Sequence, residues 1–316
     1  MGISGLMPFL KSRGLLQPFE SFAENARIAI DVPIFAHKFI YAERTYKALE
    51  RRFEVFGQSF RSQGLEPLFV FDGGKLPLKD NERAKRAKAR TNAFDRAARA
   101  ESMVLEALLD SGIEIVEPEV LSSPEVFQGL LFPTAKEYAD LKAYLTASGY
   151  QTFQAKYEAE ALCAHLCATD QAWCALTEDT DALAFGSPRV VFKYGTENAC
   201  IVHLEDTLKV LELSREQFID LCCMFGCDFC SNVSKVGPVG AYKLLRDHGS
   251  WPSIYATKVW PPATAESASV FNDLYSSVTE CFRTRAYETA SEDMSDEVKE
   301  AVDDKVDDKV DELSKQ

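Results

Sequence analysis

With 316 residues, 46% of them hydrophobic, the chain can bury one large core or two smaller ones. No run approaches the roughly 18 consecutive apolar residues that cross a bilayer, no basic-then-apolar leader opens the chain, and Leu6 stands where N-myristoylation wants Ser or Thr, so neither a membrane nor a secreted setting is expected. A net charge of −14 argues against a nucleic-acid partner until it is located: residues 291–316 carry eleven Asp/Glu against four Lys, whereas Lys75 to Arg99 carry nine Lys/Arg against three acids.

The first apolar run, Ala26 to Ile30, stops on Asp31, and the second, Leu68 to Phe71, stops on Asp72. Short apolar runs bounded by turn signals read as buried parallel strands. After Gly73-Gly74, Asn81 to Asp110 is rich in Ala, Lys, Arg and Glu without Gly or Pro, which predicts a helix. Its basic positions 79, 83, 86 and 90 share one face. Pro118, Pro124 and Pro133 mark 111–134 as an irregular connection. Thr134 to Ser148 returns to helix, and Tyr150 to Phe153 is a short strand leading to Glu158. Two residues apart, Glu158 and Glu160 face the same way only at a helix start. A third apolar run, Trp173 to Thr177, ends on Glu178-Asp179-Thr180-Asp181.

Val190 to Tyr194 and Cys200 to Leu204 flank Gly195 to Asn198, which predicts a hairpin at the sheet edge. Ser214 to Phe225 reads as a capped helix that ends at Gly226 and presents Asp228. In Val236-Gly237-Pro238-Val239-Gly240 a glycine turn opens onto a helix whose N–H groups suit a phosphate, with Lys235 and Lys243 beside it. Pro252, Pro261 and Pro262 break the pattern, and Phe271 to Tyr287 is expected to form the last helix. Val298, Val302, Val306 and Val310 give the acidic tail a thin stripe, but its charge predicts a solvated, disordered segment with an unidentified partner. The nine cysteines read as reduced core thiols; the C-x-x-C of Cys227 and Cys230 lacks a second pair at zinc-site spacing.

Open α/β sheets bind ligands at the carboxyl ends of their strands. Asp31, Asp72, Glu158, Glu160, Asp179, Asp181 and Asp228 are therefore expected to converge, and seven like charges require cations to neutralise them. An all-oxygen ligand set suits Mg²⁺, with Mn²⁺ as a substitute.

Met1-Gly2-Ile3-Ser4-Gly5-Leu6, Ile30-Asp31, Val70-Phe71-Asp72-Gly73, Glu158-Ala159-Glu160-Ala161, Thr177-Glu178-Asp179-Thr180-Asp181-Ala182-Leu183-Ala184-Phe185-Gly186, Gly226-Cys227-Asp228 and Val236-Gly237-Pro238 occur in one order. Over about residues 1–250 the chain resembles the flap endonuclease/XPG family of structure-specific 5′ nucleases. The resemblance implies an α/β, PIN-like 5′-nuclease fold, with a mostly parallel central sheet flanked by helices, a helical arch over about 80–133 and a helix–two-turn–helix element. It implies two metal ions, one held by Asp31, Asp72, Glu158 and Glu160, the other by Asp179, Asp181 and Asp228. Lys79 and Arg86 match the basic pair on the scissile phosphate and, with Asp181, form the expected catalytic set. Gly2, His37, Arg44, Lys235, Gly237 and Lys243 are the expected DNA contacts, with a K⁺ at the helix–two-turn–helix.

This chain departs from the family in carrying His37 where flap endonucleases have a stacking Tyr, and Lys235 where they have a glycine. No Gln-x-x-Leu-x-x-Phe-Phe segment appears near the C-terminus, so sliding-clamp recruitment is not expected. The length suits a divergent, viral member. The expected organisation is a nuclease region over 1–100, an arch end and connection over 101–145, an internal nuclease region over 146–230, a DNA-binding region over 231–290 and the tail over 291–316. The expected function is Mg²⁺-dependent cleavage of flapped or branched DNA in replication, repair or recombination, inside the cell and in the nucleus, although no targeting signal is evident. Two rivals stand beside it: a viral messenger-RNA endonuclease on the same fold, and a non-catalytic scaffold.

Overall fold

Side chains alternate across each central strand, and this alternation builds two cores. Ala29, Leu68, Val70, Ala175, Val190 and Phe192 pack into one. Ile28, Ile30, Phe69, Phe71, Cys174, Leu176 and Val191 pack into the other. The computed structural model describes residues 2–43, 48–80, 82–89, 91, 92, 95, 96, 99, 133–259 and 265–283. Arg44, most of the expected arch and the acidic tail lie outside the described residues.

The chain begins with α1 (Leu6–Ser12), β1 (Gln17–Pro18), β2 (Arg27–Asp31), α2 (Val32–Glu43), α3 (Leu49–Arg61) and β3 (Glu66–Phe71). A 3₁₀ turn, Pro77–Lys79, leads into a helix over 82–89 (α4). Then come α5 (Ala135–Ala147), β4 (Gln151–Gln154), α6 (Ala159–Ala168), β5 (Cys174–Leu176), α7 (Asp181–Ala184), β6 (Arg189–Phe192) and β7 (Cys200–His203). The remainder is helical: α8 (Leu204–Leu211), α9 (Arg215–Phe225), α10 (Pro238–His248), α11 (Trp251–Thr257) and α12 (Ala265–Arg283). Among the described residues no helix is long and apolar enough to cross a membrane.

The seven strands lie in the order β1-β7-β6-β5-β2-β3-β4, with β4, β3, β2, β5 and β6 parallel. The chain moves outward from β2 through β3 to β4, then α6 carries it back across the sheet to β5 on the other flank of β2. Strand order thus reverses at β2, and such a switch point opens a crevice beyond the carboxyl ends of the strands. Asp31 ends β2. Asp72 follows β3, and Asp179 and Asp181 follow β5.

Capping chemistry sets several boundaries. Thr134 and Glu137 form a reciprocal box at α5, as Ser214 and Gln217 do at α9. Gly226, at φ +88°, ends α9 in a conformation that only glycine adopts without strain.

Three expectations need correction. The hairpin of β6 and β7 forms, but β1 pairs with β7 and takes the sheet edge. Pro252 does not interrupt the pattern; it occupies the first turn of α11, where its missing N–H costs nothing and Ser250 caps the helix. The last helix starts at Ala265, six residues before Phe271, because Ala268, Phe271, Val278 and Phe282 bury one continuous face.

Candidate active site

The loop after β3 is stitched to the loop before α6: Gly73 N donates to Tyr157 O and Gly74 N to Lys156 O, both at 2.7 Å. A Cβ on Gly73 would collide with the Ala155 and Lys156 carbonyl oxygens, so only glycine fits this crossing. The crossing brings Asp72 to the start of α6, where Ala159 N donates to Asp72 Oδ1 at 2.8 Å. A helix N-terminus presents unpaired N–H groups and favours such a carboxylate. Glu158 is the N-cap and Glu160 lies in the first turn, so both face the crevice.

On the other flank, Thr177 at the end of β5 donates to Asp31 Oδ2 at 2.6 Å and accepts from Asp179 N at 3.0 Å. Asp181 N donates to Asp179 Oδ1 at 2.9 Å. Gly2 closes the floor: a Cβ there would collide with Asp179 Oδ1 and lie 2.9 Å from Asp181 Oδ1. Ile3 N fixes this strap by donating to Thr180 Oγ1 at 2.8 Å, and Ser4 N by donating to Gly226 O at 2.8 Å.

Carboxylate oxygens of Asp72, Glu158 and Glu160 lie within 4.8 Å of one another, and so do those of Glu160, Asp179 and Asp181. Glu160 belongs to both groups. Asp31 and Asp228 line the same cleft, of about 540 Å³, without joining either group. Asp228 sits in a tight turn closed by reciprocal backbone bonds between Cys227 and Cys230.

Two cations enter from the basic segment, Lys79 at the end of the 3₁₀ turn and Arg86 on α4. Lys79 Nζ reaches Glu158 Oε2 at 2.5 Å, Glu160 Oε1 at 3.3 Å and Asp228 Oδ2 at 3.7 Å. Arg86 reaches Asp228 Oδ2 at 2.6 Å. Phe229, which no motif singles out, carries the Lys79 ammonium 5.1 Å from its ring centre. Thr177 and Thr180, both inside the Thr177 to Asp181 motif, are further site residues that only their hydrogen bonds identify.

The electrostatics follow from crowding. Burial, then Glu160, pushes the Glu158 carboxyl up to about 8 and the Asp179 carboxyl up to about 6. Burial, then Glu160 and Asp72, holds Asp31 well above the carboxylate range; burial, then Asp179, does the same to Asp181. Burial pulls the Lys79 ammonium down, but Glu160, Glu158 and Asp181 outweigh it and hold its pKa well above the ordinary value. Both Asp181 oxygens are buried with no hydrogen-bond partner among the described residues. A buried carboxylate left so is expensive unless a cation takes it. Hard divalent ions fit this all-oxygen set.

The expected DNA contacts divide into two groups. Gly2 abuts the second group of acids, and His37 lines the cleft from α2. Lys235, Gly237 and Lys243 do not line it; they sit at α10, whose Pro238 packs against Gly5 of the same N-terminal strap. Lys235, where the resemblance expects a glycine, adopts φ +63°, a left-handed backbone that glycine takes at less cost.

The XPG N-terminal domain matches residues 1–93 and the XPG I-region matches residues 149–228. Flap endonuclease 1-A of Oryza sativa subsp. japonica is 31% identical over 276 residues, which cover 80% of this chain and 68% of the relative. The chain belongs to the flap endonuclease/XPG family. Flap endonuclease 1 of Cryptosporidium muris is 30% identical over 277 residues, and the match spans 78% of this chain but only 56% of that relative's length. In fold, the chain is similar to the catalytic core of Rad2 in complex with DNA substrate, with a TM-score of 0.60 at 19% identity, covering 89% of this chain and 86% of that one.

Proposed function

We propose that the chain is a Mg²⁺-dependent, structure-specific nuclease that hydrolyses phosphodiester bonds at flapped or branched DNA, as a flap endonuclease and 5′–3′ exonuclease. One observation carries this reading: two carboxylate triads share Glu160 at the switch point of the sheet, with Lys79 and Arg86 standing over them. The names of the relatives, and a DNA-bound structural neighbour, support it.

Asp72, Glu158 and Glu160 would hold one ion, and Glu160, Asp179 and Asp181 the other, with Mn²⁺ able to substitute for Mg²⁺. Bound there, such ions lower the pKa of water and stabilise the attacking and leaving oxygens of an in-line displacement. Thr177 orients Asp31 and Asp179 together. Lys79 and Arg86, already desolvated or paired beside the acids, would meet the scissile phosphate as preorganised positive charge. Attack of water on phosphorus with the 3′ oxygen as leaving group would give 5′-phosphate and 3′-hydroxyl ends. Gly2 and His37 would contact DNA at the cleft. Lys235, Gly237 and Lys243 would grip duplex backbone at the α10 N-terminus, with a K⁺ held in the turn. Backbone contacts carry no sequence information, so selectivity rests on junction shape. Work on replication or repair intermediates places the chain in the nucleus.

The test is a panel of 5′-labelled flap, nick, bubble and single-stranded RNA substrates with Mg²⁺. The native chain is expected to cleave the flap fastest, and Asp181→Ala to abolish cleavage while flapped-duplex binding survives. Undiminished Mg²⁺-dependent cleavage by pure Asp181→Ala would overturn the site.

A further inference from the structure

A second groove, of about 850 Å³, runs from Asp72 along one face of α5. Pro33 and Asp72 line both it and the carboxylate cleft, so the two are continuous. Positions 135, 138, 139, 142, 143 and 146 share the α5 face that borders the groove. Leu141 and Leu145 are buried in the core on the adjoining face of the helix, and Tyr138, between the two faces, is partly buried against that same core. The groove walls are mostly apolar: Pro33, Phe71, Ala139 and Ala143, with Tyr138 close to Asp72 and Lys142 one turn farther out. Burial, then the charges of Asp72 and Asp31, raises the Tyr138 phenol pKa, which fits a hydroxyl set at the mouth of the acid cleft.

We propose that this groove is a subsite for unpaired nucleotides next to the scissile phosphate, with Tyr138 as a stacking ring and Lys142 as a phosphate contact. The proposal rests on the nuclease reading above and names where its single strand goes. The expected duplex grip, α10, packs with α1 and α9 on one face of the sheet, whereas α5 packs with α3 on the other. A strand held as duplex near α10 and led across the acids emerges at α5. There it meets a volume within the usual range for small-ligand pockets, about 300–1,000 Å³, an aromatic ring and a cation. Stacking accepts any base, because each has a π-face, so the subsite would be tolerant of sequence, as a junction-selective enzyme requires.

The test uses the full chain and two DNAs that differ only in unpaired nucleotides: a nicked duplex and the same duplex with a five-nucleotide 5′ flap. With Mg²⁺, Tyr138→Ala and the groove-filling Ala139→Trp are expected to lower the ratio of flap to nick kcat/KM by about 10-fold, and Tyr138→Phe to restore it. With Ca²⁺ to hold off cleavage, 2-aminopurine at the first unpaired position is expected to lose fluorescence on binding the native chain but not Tyr138→Ala. An unchanged ratio, equal losses on both DNAs, or equal quenching by native and Tyr138→Ala chains overturns the subsite. If the native chain cleaves neither DNA, the nuclease reading is what fails, and the fluorescence arm still decides whether Tyr138 stacks an unpaired base.

Discussion

Glu160 concentrates the chemistry of the site. One carboxylate on the first turn of α6 belongs to both acid triads, so displacing it disturbs both ion seats at once. Gly2 has the opposite character: it contributes only the absence of a side chain, and Gly2→Ala drives a methyl into Asp179 Oδ1. Since misplacement of reacting groups by about 1 Å costs on the order of 100-fold, Gly2→Ala should lower single-turnover cleavage by at least about 10-fold and weaken divalent-ion binding in calorimetry. Native rate and affinity would show that the strap yields freely. Lys79 and Arg86 are both drawn onto the acids, and each should matter to the charge that develops on the phosphate. Lys79→Ala and Arg86→Ala are expected to slow single-turnover cleavage by about 10²–10³-fold, the scale of removing one preorganised electrostatic donor. An unchanged rate for both would reduce the basic segment to a solvated surface.

At the scale of elements, α11 and α12 are held to α9 by one buried acid as well as by apolar packing. Asp220 on α9 accepts from Trp251 N of α11 at 3.0 Å and from Tyr275 Oη of α12 at 2.6 Å. Trp251 itself is fully buried and packs edge-on against Phe271, with ring centres 4.5 Å apart. Asp220→Ala leaves two donors without an acceptor, and bonds to a charged group contribute about 1.5–3 kcal/mol each net of solvent. The variant should lose about 3–6 kcal/mol in urea unfolding, with duplex binding weakened more than the chemical step. A loss under 0.5 kcal/mol, on the order of a neutral surface change, would mean that apolar packing alone holds α11 and α12.

For the whole molecule, pH divides stability into two windows. Burial lowers the His165 pKa to about 4, so the unfolded chain, with His near 6.5, takes up a proton that the fold refuses. Stability from this residue is present above about pH 6.5 and is lost as pH falls toward 4, by about 3 kcal/mol at most. The crowded carboxyls act the other way. With Asp179 raised to about 6 and Glu158 to about 8, the metal-free fold binds protons that the unfolded chain has released, so stability falls as pH rises through that range. The melting temperature in EDTA should therefore decline between about pH 6 and pH 8, and millimolar Mg²⁺ should abolish the decline by stabilising the charged form. A flat profile in EDTA would contradict the crowding.

Strands β2 to β7, the helices that begin at Thr134 and Ser214 and the identity of the acids were legible in the sequence, because these depend on local spacing: apolar runs that stop on an acid, and polar residues three positions before Glu or Gln. The start of the last helix was not legible, since burial against α9 and the rest of the core decided it, whereas the place of Pro252 follows from a local rule, a proline in the first turn of a helix capped by Ser250. The grouping of the carboxylates was legible only in part: Asp72, Glu158 and Glu160 fall together as the resemblance implies, as do Asp179 and Asp181, but the sharing of Glu160 was not foreseen. Sequence motifs divide the acids by order along the chain, but the crossing of Gly73 under Lys156 and the return of α6 to β5 divide them by distance, so that Glu160 is shared and Asp228 faces Arg86. The chain by itself determined which residues carry charge and which segments must be buried. Only the tertiary structure decided which charges meet, because contacts between positions as far apart as 31 and 177 are fixed by strand order and packing, and no local rule reaches that far.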